Sequence, residues 1–99
     1  MIARIWRGHT PAAKADAYSQ YLARTGLADY RSTPGNRGVF ALRRVDGETA
    51  EFLLVTLWES LDAVRSFAGP DVEKARYYPE DDEYLLGREP KVAHYEVLP

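Results

Sequence analysis

The stretch Glu51-Phe52-Leu53-Leu54-Val55-Thr56-Leu57-Trp58-Glu59-Ser60 constrains this chain more than any other. Its β-branched and aromatic residues fit a strand. Its apolar run is far too short for a membrane span, which needs ~20 residues. On a strand, Leu53, Val55 and Leu57 share one face, and Phe52, Leu54 and Trp58 share the other. A strand apolar on both faces must be covered on both. Helices supply one cover. A chain of 99 residues has little left for the second, which points to a partner subunit.

The rest of the chain reads around this strand. Ile2 to His9 alternates as a first strand, with Ile2, Arg4 and Trp6 on one face and Ala3, Ile5 and Arg7 on the other. Thr10-Pro11 predicts a helix start, Thr as cap and Pro at the first helical position. Ala13, Ala17, Tyr18, Tyr21 and Leu22 follow at helical spacing. Gly26 ends or bends that helix, and Leu27, Ala28 and Tyr30 add one more turn before the Pro34-Gly35 turn. A second strand runs over 37–45, and Asp46-Gly47 makes a tight hairpin into the organising strand. Ser60 caps a second helix whose apolar stripe is Leu61, Val64, Phe67 and Ala68. Gly69-Pro70 stops it, and Asp71 caps a short continuation through Arg76. Residues 77–90 read as an irregular connection, and 91–97 as the last strand.

The order β-α-β-β-α-β predicts an α+β, ferredoxin-like domain spanning 1–99: a four-stranded antiparallel sheet with helices on one face. The bare face would expose an apolar patch of the kind that marks an interface. Two sheets packed face to face would form a dimeric barrel.

Composition narrows function by exclusion. The net charge of −2 gives no basic field for nucleic acid. The absence of cysteine excludes disulfides, thiolate catalysis and Cys-based zinc sites. Arg4 and Arg7 interrupt the first apolar segment, so no signal peptide is expected, and a cytoplasmic protein is. No phosphate-binding loop, dinucleotide fingerprint or metalloprotease motif is present. The acidic run Glu80–Glu83 lacks the spacing of a calcium loop and reads as a solvated loop.

Two groups of residues are candidates for chemistry. His9 and His94 titrate near neutrality, and His94, in mid-strand, would serve as a general base if it faced an apolar pocket. If instead it faces solvent or a subunit interface, it has no such role. Trp6, Trp58, Phe67, Tyr77 and Tyr78 would converge between sheet and helices if both tryptophans point that way. Such a pocket suits a flat aromatic ligand; the alternative is that these rings simply fill the core.

Trp6-Arg7-Gly8, the segment from Thr25 to Gly38, and Leu57-Trp58-Glu59-Ser60 resemble the antibiotic biosynthesis monooxygenase family, with the order of elements matching over nearly the whole chain. The resemblance implies a homodimeric α+β barrel with a pocket between sheet and helices. It also implies cofactor-free oxidation of an aromatic or quinone-like molecule, in which the substrate supplies the electrons. The protein then removes a proton, stabilises the anion and excludes water. By this resemblance the hydrogen-bonding and catalytic candidates are His94, Trp6, Arg7 and Tyr77. The substrate-binding candidates are Trp58, Phe67 and Tyr78. A haem-degrading branch uses an asparagine, a tryptophan and an iron-ligating histidine near the positions of Trp6, Phe67 and Tyr77, and this chain departs from that pattern at all three. The non-enzymatic alternatives are a ligand-binding or stress-response barrel and a purely structural dimer module.

Overall fold

Each of the four strands is fixed by a ladder to its neighbours. In the computed structural model, which describes residues 1–99, they are β1 (Ile2–Pro11), β2 (Asn36–Asp46), β3 (Thr49–Trp58) and β4 (Ala93–Glu96). All pairings are antiparallel, in the order β2-β3-β1-β4. The helices are α1 (Ala15–Arg24), α2 (Gly26–Ser32) and α3 (Leu61–Ala68). This is the ferredoxin-like α+β arrangement, with its first helix broken at Thr25 into α1 and α2. Gly47 turns the β2–β3 hairpin at φ +63°, a conformation that favours glycine. No helix is long and apolar enough to cross a membrane.

Strand alternation sorts the side chains. Arg4, Trp6, Gly8 and Thr10 of β1, and Ala50, Phe52, Leu54, Thr56 and Trp58 of β3, are buried on the helix side. They pack with Tyr18, Tyr21, Leu22, Leu27, Tyr30, Val64 and Phe67 into one core. Trp58 is wholly buried, so its indole N–H needs a partner. It donates to Thr56 Oγ1 at 2.8 Å, and Thr56 donates to the Arg4 carbonyl at 3.3 Å. On the opposite face Ile5 lies across from Val55 and Ala93, and Phe40 and Leu42 across from Val55 and Leu53. Phe40, Leu42 and Tyr95 are about half exposed there.

Three local expectations are corrected. Thr10-Pro11 does not start a helix: β1 continues to Pro11, pairing Thr10 with Ala50 and Pro11 with Thr49. The His9 carbonyl points away from β3 and accepts Leu86 N–H at 2.8 Å. Pro11, two residues on, turns its missing donor to that same side, so the β3 ladder loses no bond. A short 3-10 turn (Ala12–Lys14) then leads into α1 without a side-chain cap. Ser60, by contrast, caps α3 as expected, accepting from Ala63 N. Asp71 does not start a helix. Residues 73–75 instead run beside 90–92, with Ala75 N–H on the Pro90 carbonyl at 2.9 Å and Val92 N–H on the Glu73 carbonyl at 2.8 Å. Tertiary hydrogen bonds have replaced helical ones. The connection 77–90 contains a 3-10 turn, Pro79–Glu83.

Candidate functional site

Trp6 founds the site. Its place on β1 aims the indole at the helices, and Gly8, next on that face, lets it lie flat. A Cβ on Gly8 would stand 2.3 Å from Trp6 Cη2, so Trp6-Arg7-Gly8 is a packing requirement. Above the indole, the strap that follows α3 delivers Arg76, Tyr77 and Tyr78. These, with Tyr18, Leu22, Gly26, Tyr30, Leu54, Phe67 and Asp81, enclose a cavity of about 20 Å³, room for roughly one water molecule.

Its walls are aromatic and mutually braced. Tyr30 stacks on Phe67 at 4.3 Å between centroids, and Tyr77 meets Trp6 edge-on at 6.2 Å. Trp6 Nε1 donates to the Tyr77 hydroxyl at 3.4 Å, and that hydroxyl donates to the Glu89 carbonyl. Burial raises the pKa of Tyr18, Tyr30, Tyr77 and Tyr78. They are therefore neutral phenols and do not act as bases; the Tyr77 and Tyr78 hydroxyls donate to the Glu89 carbonyl and to Asp29.

Two charged groups reach this apolar space. The Arg76 guanidinium lies over Phe67 at 4.8 Å and over Tyr78 at 5.2 Å. It also donates to the Phe67 carbonyl and pairs with Asp29, which accepts the Tyr78 hydroxyl. Asp81 is 4% exposed. The Pro79–Glu83 turn tucks it inward, its Oδ2 accepting Tyr78 N–H at 2.6 Å. Burial raises its pKa above the ordinary carboxylate value, while that N–H and Arg88 pull the other way. A carboxylate held in an apolar pocket is a better base than one in water.

Of the residues proposed from sequence, Trp6, Phe67, Tyr77 and Tyr78 line this cavity. Trp58 lies behind it, against Tyr30 and Phe67. Arg7 projects from the opposite face of the sheet and pairs with Glu51 at 3.8 Å. His94 faces the helix side but belongs to another cluster, its Nε2 3.1 Å from a nitrogen of Arg4. That contact requires a neutral imidazole, and burial together with the Arg4 charge lowers its pKa. Asp81 and Arg76 were missed. Asp81 corrects the reading of 80–83 as wholly solvated. The signal was its place three residues after Tyr78 behind Pro79, the spacing by which a side chain reaches back to a cap N–H. No group of three or more His, Asp or Glu side chains converges to hold a metal ion.

No protein-family model matches the chain, and no curated protein matches it. Solved structures do. The haem degrader MhuD of Mycobacterium tuberculosis, with two haems in its active site, is 27% identical with a TM-score of 0.65, over 100% of this chain and 97% of that one. A Nitrosomonas europaea protein bearing the name antibiotic biosynthesis monooxygenase is 17% identical with a TM-score of 0.71, over 100% of both chains. Rv0793 of Mycobacterium tuberculosis is 22% identical with a TM-score of 0.65, over 99% and 95%. The chain therefore has the antibiotic biosynthesis monooxygenase type of fold, as its sequence resemblance implies.

Proposed function

We propose that this chain is an oxygenase that binds a small aromatic or quinone-like molecule and oxidises it with O2, the substrate supplying the electrons. The observation that carries this reading is Asp81, a buried carboxylate of raised pKa in a largely aromatic cavity that Arg76 also lines. With an anthrone, Asp81 takes a proton from the ring CH2, and Arg76 and the phenol hydroxyls stabilise the anion. The carbanion adds O2, and loss of water from the peroxide gives the quinone: anthrone plus O2 yields anthraquinone plus water. Trp6 orients the ring. The cavity as it stands has room for about one water molecule, so a ring enters only when its walls move, Tyr77 among them. The likeness to MhuD adds haem to the substrates worth testing.

The working form is a cytoplasmic homodimer joined through the open sheet face. Ile5, Phe40, Leu42, Leu53, Val55, Leu57 and Tyr95 make that face too apolar to stand in water. Val55→Asp places a carboxylate at its centre. Sedimentation equilibrium should then give a monomer where the unaltered protein gives a dimer; a monomer in both cases removes the barrel from this reading.

O2 uptake by the purified protein, against anthrones, hydroquinones and haem, tests the activity, with tryptophan fluorescence recorded in parallel. Uptake above the uncatalysed rate is expected. One observation favours a second reading, a non-catalytic binding protein: the cavity holds about 20 Å³ and must open for any ring. Fluorescence change without uptake would select that reading.

A further inference from the structure

Tyr77 has an outer side as well as an inner one. Beyond it lies an open cleft of about 400 Å³, walled by Lys74, Arg88, Lys91 and Asp71 with Ala75 and Pro90. Three cations thus face one carboxylate, in a chain whose net charge is −2. Arg88 also pairs with Asp82 at 2.7 Å. Lys74 and Lys91 stand opposite each other in a β-bridge, and neither pairs with a carboxylate. Like charges directly opposite across two strands are destabilising. An anion between them would remove that cost.

The aromatic side of the cleft is equally specific. Tyr77 is the one residue that lines both the inner cavity and the cleft. Trp6 meets it edge-on, and the Arg88 guanidinium lies over it at 4.8 Å. A flat ring is therefore already in contact with both an indole and a guanidinium, an arrangement that suits any ligand ring taking its place.

We infer that the ligand of this site is an aromatic anion: its ring takes the place of Tyr77 against Trp6 and Arg88, and its anionic group lies between Lys74 and Lys91. The inference rests on the proposed function only in assigning the ring to the Trp6 cavity. Carboxylate and phosphate share the required chemistry, and both enter the test.

Calorimetry and tryptophan quenching with 2-naphthoate, 2-naphthyl phosphate and the uncharged 2-naphthamide measure it. In low salt at least one anion should bind roughly 5–30-fold more tightly than the amide, and the tighter of the two identifies the anionic group. Lys74→Gln with Lys91→Gln should abolish that advantage. So should salt at several hundred millimolar, because exposed charges are screened within ~10 Å or less. Equal affinities for anion and amide would overturn the inference. So would an advantage that survives in the double variant, or no binding by any probe. O2 uptake by the unaltered protein with the anthrones, hydroquinones and haem is the separate readout: its absence with all of them sinks the oxygenase reading whatever the naphthoates do.

Discussion

Asp81→Asn should lower O2 uptake with an anthrone by roughly 10²–10⁴-fold, the usual contribution of a positioned base, and leave the fold standing. The asparagine carbonyl oxygen can still accept Tyr78 N–H, so the Pro79–Glu83 turn keeps its bond. What is lost is the proton acceptor. The pH profile separates chemistry from structure. In the unaltered protein kcat/KM should rise along an acid limb set by Asp81, placed above the ordinary carboxylate value of 3.8 because burial raises it. In the variant that limb should vanish. Stability moves in the opposite sense. A carboxyl whose folded pKa is raised binds more protons folded than unfolded between the two values, so the unaltered protein gains stability as pH falls through that window. The variant should lack the gain. Full activity in Asp81→Asn would remove Asp81 from the mechanism.

Arg4→Met should destabilise the fold by about 1–3 kcal/mol, the usual cost of leaving a buried polar group without its partner. Arg4 is 2% exposed. Its guanidinium donates to the Val72 carbonyl at 2.6 Å and the Lys74 carbonyl at 3.2 Å, beside His94. Methionine fills much of the volume and leaves both carbonyls without their donor. Those carbonyls belong to the strap that presents Arg76, Tyr77 and Tyr78, so the cavity should loosen along with the fold. Urea unfolding at pH 7 and pH 5.5 reads both effects. Burial first, then Arg4, hold His94 below its ordinary value of 6.5, against a smaller pull from Glu73. A lowered histidine pKa means stability is lost as pH falls below 6.5 through the folded value. Without Arg4 the shift shrinks, so the variant should lose less on acidification. A cost under about 1 kcal/mol at pH 7 would mean the strap is held by its bonds to 90–92 alone.

The element order, the β2–β3 hairpin, the Ser60 cap and the two-faced β3 were legible in the sequence, because each rests on local chemistry. Period-2 alternation, a glycine at positive φ and a serine before an apolar stripe act within a few residues. Alternation also told which side chains share a face, so Trp6 was grouped with Arg4 and set apart from Arg7. It could not tell which face the helices cover. That choice aims Trp6 at the cavity and sends Arg7 to the other side of the sheet. Thr10-Pro11 carried a helix-start signal that the β1–β3 ladder overrode, and Asp71 a cap signal that the pairing of 73–75 with 90–92 overrode. Asp81 and Arg76 became site residues only through contacts between segments distant in sequence. Their burial and electrostatic environment belong to the assembled strap, and no periodicity encodes them. Local sequence determined the strands, helices and turns; the tertiary structure decided where charge meets the aromatic cavity, because desolvation and pairing exist only once those segments have come together.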